Sequence, residues 1–359
     1  MAVGVWIIAT AAIGLVLHWG SDILSPFALA VFIWLVMEGF AREIRRPIPK
    51  LPAWAAHVIA ISIIVIAIVA FIGVLRSAVL EFAAKSDDYE TRINGIIAHV
   101  YSMLGISDAP KLSTLIYSNA TIRFVEPALT TVRSMASELV LVLIYVAFLY
   151  VSSARYPRKI VQIFPKHDAR AHAMNVVNEI RRAMEQYLWV QTVLSLITTV
   201  LTYVTLLAVG LDNALFWAFV IFVLNYIPTI GSIIAAILPA LFAIAQPHWP
   251  VWMPTDPMWC ALIVFLAVSV WQFVIGNFMG PRMTGSSLNI SALVVLLSLA
   301  VWGALWGLNG MFLSAPLTVL IMIVLAQIPG ARWIAVLLSE DGRPDYLAPP
   351  DRHESMTDG

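Results

Sequence analysis

The chain is poor in the residues that most often announce chemistry. A single cysteine, Cys260, stands among 359 residues, which excludes an intrachain disulfide and a cysteine metal cluster and leaves the redox compartment unread. Charged residues make up 12% of the chain, against about 25% in soluble domains. Between Glu185 and Arg332 only Asp212, Asp256 and Arg282 carry charge, each at the end of an apolar run. No phosphate-binding GxxxxGK[ST] loop, HExxH or GxSxG occurs, and the glycine-rich runs lack the lysine or strand context those motifs need. The reading is a non-enzyme with no cofactor and no metal, and ATP-driven pumping by this chain alone has no support.

What is present is apolar. Hydrophobic residues reach 61% and mean hydropathy is +0.89, more than a soluble chain of this length could cover with polar surface, so the composition places it in a bilayer. Thirteen tryptophans suit a protein with many membrane–water boundaries. The run 3–17 lacks a positive n-region and a small-residue cleavage site and reads as a retained helix rather than a signal peptide.

Apolar runs long enough to cross lie at 2–19, 23–40, 54–75, 134–151, 188–209, 258–275, 290–305 and 311–325. Arg42, Arg45, Arg46 and Lys50 make 41–50 a basic loop, and 155–182 is a second; the positive-inside rule puts both in the cytoplasm. The intervening segment 76–133 then faces outside. Its charges are balanced, and Tyr89, Ile93, Ile96, Ile97, Val100, Tyr101 and Leu104 form one apolar face at helical spacing. Gly105 and Pro110 break that helix before a second short one at 112–118. Such a segment buries little core alone. It packs on the bilayer, the bundle or a neighbouring subunit, and a homo-oligomer is expected.

Two interruptions stand out, 225–231 and 306–310, each followed by an apolar arm with a proline, Pro239 and Pro316. Irregular backbone survives in lipid only where protein or a wet cavity surrounds it. Interrupted segments at corresponding positions are the usual pointer to a transporter's substrate site and, facing opposite ways, suggest an inverted repeat. The arms 214–224 and 232–245 are short for full crossings, so this hairpin either re-enters or crosses twice.

The expected fold is all-α: a polytopic helical membrane protein of about eight spans plus a short-armed Gly/Pro-interrupted hairpin, with a small helical extracytoplasmic insert. The segments are 1–75, three N-terminal spans; 76–133, the insert; 134–186, a fourth span and cytoplasmic amphipathic linker; 187–330, the transport bundle; and 331–359, a cytoplasmic tail read as disordered after Ser339. Both termini are expected in the cytoplasm.

Four motifs carry a family resemblance: Tyr226-Ile-Pro-Thr-Ile-Gly231 with Pro239 after it, Gly276-Asn-Phe-Met-Gly-Pro281, Leu293-Val-Val-Leu-Leu-Ser298, and the most specific, Trp302-Gly-Ala-Leu-Trp-Gly-Leu-Asn-Gly-Met-Phe-Leu-Ser-Ala-Pro-Leu317. In these the chain resembles the autoinducer-2 exporter family of bacterial membrane proteins. The likeness covers most of the chain in layout and reaches residue level toward the C-terminus. It implies a bacterial inner-membrane protein that exports small molecules, members being linked to the furanosyl signal autoinducer-2 and, in some cases, to sodium or lithium exchange for protons.

An exporter needs hydrogen-bonding groups within the membrane. Gln191, Ser195, Thr198, Thr202 and Thr205 form a polar stripe on one helix face; Asn225, Pro228 and Gly231 belong to the first break; Gln272 and Asn277 lie on the next span; Asn309, Gly310 and Pro316 belong to the last pair. These are the candidates for the substrate path. Small hydroxyl residues equally serve helix packing, and the prolines can simply end helices. Proton-coupled antiporters keep an ionisable residue inside the membrane. Glu38 and Glu138 sit near span ends, where they are read as solvated, and His18 and His57 as interface anchors. This favours a neutral or hydroxyl-rich substrate over cation–proton exchange. The expected partners are a small-molecule or ion substrate and the lipid bilayer, not nucleic acid. A non-transporting scaffold is the remaining alternative, with the basic run 155–182 as its contact.

Overall fold

A computed structural model describes residues 12–106, 110–111, 120–153, 155–284, 289–328 and 330–343. Helices account for nearly all of them: α1 Ser21–Arg45, α2 Ala53–Ala84, α3 Ser86–Met103, α4 Ala120–Ser153, α5 Tyr156–Ile163, α6 His167–Val209, α7 Ala214–Leu224, α8 Ile230–Ala245, α9 Pro257–Val274, α10 Ala292–Ala326 and α11 Arg332–Leu338. The only β pairing among the described residues is an isolated bridge between Ile290 and Ser339. Among the described residues six helical stretches are long and apolar enough to cross a membrane: Ser21–Arg45, Ala53–Ala84, Arg133–Ser153, His167–Val209, Pro257–Met283 and Ala292–Ala326. With the shorter apolar helices α7 and α8 they make a polytopic helical membrane protein.

The first expected crossing, 2–19, lies mostly outside the described residues, of which 12–19 are helical. The last two expected crossings are the arms of α10, which is bent at Gly307 (φ 60°, ψ −137°). Trp302 Nε1 donates to Thr318 Oγ1 at 3.3 Å across this bend, 16 residues away in sequence. In a straight helix they would be about 24 Å apart, so the arms fold back on each other. The short helix expected at 112–118 lies outside the described residues.

Elsewhere helices run on past the expected span ends. α2 has 32 residues and would measure about 48 Å, well beyond a hydrocarbon core of about 30 Å, so the expected span and the start of the insert are one helix. The linker and fifth span are likewise continuous in the 43-residue α6. The glycine-rich link after α9 is also helical. Pro281 has no N–H and would crowd the carbonyl four residues back. The ladder widens instead to a π turn over Ile275–Met279, Gly280 N–H bonding Ile275 O, before Gly280–Thr284 resumes.

The contacts divide into two compact units. The first comprises Met1–His57, Val142–Val190 and Arg282–Gly359; the second comprises Val58–Leu141 and Gln191–Pro281. In the first, α10 packs on α1 and α11, with the Phe32 and Phe312 rings 5.0 Å apart. Residues 340–343, expected to be disordered, are tied down there. Asn289 Nδ2 donates to Asp341 Oδ1 and Arg343 O, and its Oδ1 accepts from the Glu340 and Asp341 N–H groups. The Arg343 N–H, and then the Asn289 amide, each donating to Asp341 Oδ1, hold that carboxyl below its ordinary pKa. Residues 344–359 lie outside the described residues.

In the second unit α8 packs along α9, and the core joins Leu206, Trp217, Ile221, Ala235, Ala236, Ala240, Cys260, Val264 and Val268. Phe82, Tyr89, Phe216, Trp217 and Phe242 form a ring cluster that seats α3 on it. Lys85, at the α2–α3 corner, bonds Glu81 at 2.8 Å and Asp212 at 3.1 Å, while Tyr89 donates to Asp212 at 3.4 Å. The bond to Glu81, and then Asp212, raises the Lys85 pKa above the usual lysine range; burial first, and then the Asp212 charge, raises that of Tyr89.

Candidate functional site

In the second unit, α7 ends at Leu224 and α8 begins at Ile230. The last carbonyls of α7 have no partner within their helix. Gln191 from α6 supplies one, its Nε2 donating to Asn225 O at 2.6 Å. Gln272 from α9 donates to Asn225 Oδ1 at 2.9 Å. Asn225 thus receives two amides from two different helices at the point where the chain breaks. Tyr226, buried beside it, donates to Thr192 Oγ1 at 2.7 Å.

The turn itself is strained. Ile230 N–H bonds Pro228 O at 2.6 Å, closing a three-residue turn around Thr229 with φ 60° and ψ −61°. This is the rarer hand of γ-turn, unfavourable for a β-branched residue. Such strain persists only where the surroundings impose it. Pro228 fits because it needs no N–H there. Gly231 follows because a Cβ at that position would overlap the Leu224 carbonyl oxygen.

The polar stripe on α6 divides. Thr198 and Thr205 donate to the carbonyls four residues back, Leu194 and Leu201, and Thr205 also accepts from Trp271 Nε1 at 2.9 Å. Those two behave as satisfied helix hydroxyls. Ser195 and Thr202 differ: at 1% and 0% exposure, their hydroxyls find no hydrogen-bond partner among the described residues. Buried polar groups almost always have partners, so these two hydroxyls are exceptions on α6. Asn277, by contrast, is exposed and spends its amide on Phe273 O of its own helix.

Asn309, Gly310 and Pro316 belong to the first unit, where the bend of α10 repeats the same device. A Cβ on Gly310 would overlap the Trp302 carbonyl oxygen, as one on Gly231 would overlap that of Leu224. Asn309 donates to Ser25 Oγ at 3.0 Å and Trp306 Nε1 to Leu17 O at 2.9 Å, so the bend is anchored to the helices before it. Pro316 is buried and lines an apolar cavity of about 240 Å³ with Phe32, Met184 and Leu313.

The family of AI-2E transporters matches residues 7–330. The chain belongs to this family. The AI-2 transport protein TqsA of Escherichia coli (strain K12) is 32% identical over 328 residues, 90% of this chain and 91% of that protein. A putative transport protein, YhhT, of the same organism is 28% identical over 342 residues, covering 93% and 92%. A putative transport protein of Haemophilus influenzae is 26% identical over 328 residues, 89% and 91%. This AI-2E transporter is therefore a multi-pass membrane protein of a transport family, as its motifs imply.

Three sets of contacts were not visible in the sequence. Gln246, fully buried, accepts from Asp212 N–H and donates to Gly210 O and His248 O, each at 2.8 Å, clamping two loops. Tyr226 and Thr192 join the first break; the tyrosine lay inside a quoted motif but its hydroxyl had no visible partner. Glu38, read as solvated, and His57, read as an interface anchor, pair with each other, and Glu38 also bonds Arg181. Among the described residues no group of three His, Cys, Asp or Glu side chains stands together as metal ligands would.

Proposed function

We propose that this protein is an inner-membrane exporter of a small polar molecule of the autoinducer-2 kind, working by alternating access of its Gly/Pro-broken helices. The carrying observation is the first break: a strained turn at Thr229, two amides converging on Asn225, and the unpartnered hydroxyls of Ser195 and Thr202 on α6. Hydrogen-bonding groups of this kind at a discontinuous helix suit a neutral, hydroxyl-rich substrate. The name of TqsA supports the substrate class. The two basic loops support a topology with 41–50, 155–182 and both termini in the cytoplasm and 76–133 outside.

Sodium- or lithium-for-proton exchange is the competing reading. It gains from Glu185, which is 3% exposed and bonded to Arg42 and Arg181 on helices long enough to cross the membrane. Reconstitution in liposomes separates the two. Export predicts autoinducer-2 flux that Ser195→Ala, Thr202→Ala and Asn225→Ala reduce. Sodium-driven proton movement without such flux would replace it with exchange, and neither would leave a scaffold.

A further inference from the structure

His57 opens α2 in the first unit. Its Nδ1 lies 2.7 Å from Ala53 O and its Nε2 lies 3.2 Å from Glu38 Oε1. A carbonyl oxygen only accepts, so Nδ1 carries a hydrogen. In a neutral ring Nε2 would then present a lone pair to a carboxylate oxygen, acceptor against acceptor. The contact becomes a hydrogen bond only when Nε2, or Glu38, carries one more hydrogen. The pair therefore holds one proton beyond what a neutral histidine and an ionised glutamate bring together.

The surroundings reinforce this. Glu38 Oε2 accepts from Arg181 Nη2 at 2.9 Å, Arg181 Nε donates to Glu185 Oε1 at 2.7 Å, and Glu185 Oε2 accepts from Arg42 Nη2. The His57 ring rests against Tyr150 of α4, with ring centroids 5.1 Å apart. Glu38 and Arg42 come from α1, Arg181 and Glu185 from α6, and His57 from α2. Two arginines already balance two glutamates, so the proton on the pair is the one charge the cluster has in excess. Side-chain exposures of 15% for Glu38 and 17% for His57 leave water little room to make up for its loss.

We infer that Glu38 and His57 form a proton-binding site that joins α1, α2 and α6, and that losing the proton opens the contact between α1 and α2. The ligand is the proton itself; the site does not depend on which substrate is exported. The contact is complete with the proton and broken without it, so the wild type and variants that need no proton there should separate as pH rises.

Thermal unfolding in mild detergent from about pH 5.5 to about pH 8.5, the histidine titration window, tests it with Glu38→Gln and His57→Gln. Either amide completes the contact without an added proton. The melting temperature of the wild type should fall by several degrees relative to both variants as pH rises, the other histidines cancelling in the difference. Parallel curves would overturn the site. If the variants do not fold, the wild type in bilayers still decides. ¹⁵N-histidine spectra that resolve one ring with both nitrogens protonated near neutral pH, hydrogen-bonded to a carboxylate, or a protonated-carboxyl infrared band, would support it. Neutral rings throughout with no such band would overturn it.

Discussion

Thr229 and Gly231 sit two residues apart and make opposite demands on a substitution. Thr229 holds φ 60° in a turn that glycine adopts without strain, so Thr229→Gly should stabilise the protein by about 1 kcal/mol, within the range for relieved backbone strain. If the strained turn is part of the transport cycle, the same variant loses flux while gaining stability, measured as unfolding temperature against liposome uptake. Gly231→Ala has the reverse sign. Its methyl meets the Leu224 carbonyl, which belongs to backbone and cannot rotate away, so a loss of about 1–3 kcal/mol is expected, and Gly310→Ala should match it at Trp302. Gly73→Ala is the control. Its Cβ enters open space inside α2, so the alanine should be neutral or gain about 0.5–1 kcal/mol. Both hairpin glycines were visible in sequence as members of motifs. Their reason was not, because the carbonyl each one admits is several residues back and arrives only when the arms close. Gln246 was invisible for a related cause: a glutamine at the end of an apolar run looks like solvation until the loops at 210–212 and 248 come to meet it.

Helices fared differently from residues. Each of the six described helices long and apolar enough to cross contains an expected span, since a bilayer demands about 20 apolar residues and few charges whatever the packing. Hydropathy could not say where a helix stops once it leaves the lipid. Residues 76–84 of α2 and the start of α6 carry charges that hydropathy treats as loop, yet nothing in them breaks a helix, and both continue. The corner that does end α2 is closed by Lys85, and a prediction belongs to it. Lys85→Met should free α3 from the Asp212 corner and increase its proteolytic cleavage around residues 85–92, with the ring cluster of Phe82 and Tyr89 limiting the effect. The raised lysine pKa fixes the pH window. Stability from this group is fully present below the ordinary lysine value of about 10.4 and is lost only as pH rises through the higher folded value. The difference between wild type and Lys85→Met should therefore be flat from about pH 6 to about pH 9. A difference that changed across that range would show that another group carries the clasp.

At the scale of the whole molecule, an apolar stripe among the described residues has no explanation from a single chain. Val100, Met103, Leu104 and Ile106 at the end of α3 are 47%, 74%, 68% and 48% exposed. In the topology proposed above they lie outside the cytoplasm, beyond α2, which is already longer than the hydrocarbon core is thick. Lipid tails do not reach so far if α2 runs along the membrane normal, and water is an unfavourable neighbour for four large apolar side chains in a row. A second copy of the chain offers the same stripe in return, which is the self-complementary contact of a symmetric pair or ring. Met103→Cys in a Cys260→Ser background tests this directly, because Cys260 is the chain's single cysteine and is buried. Mild oxidation in native membranes should yield a covalent species of twice the 39.5 kDa protomer mass. Asp88→Cys, on the same helix but away from the stripe, should yield much less. Monomer alone from Met103→Cys, or equal yields from both positions, would place the stripe against lipid and require α2 to tilt far enough to bring it there.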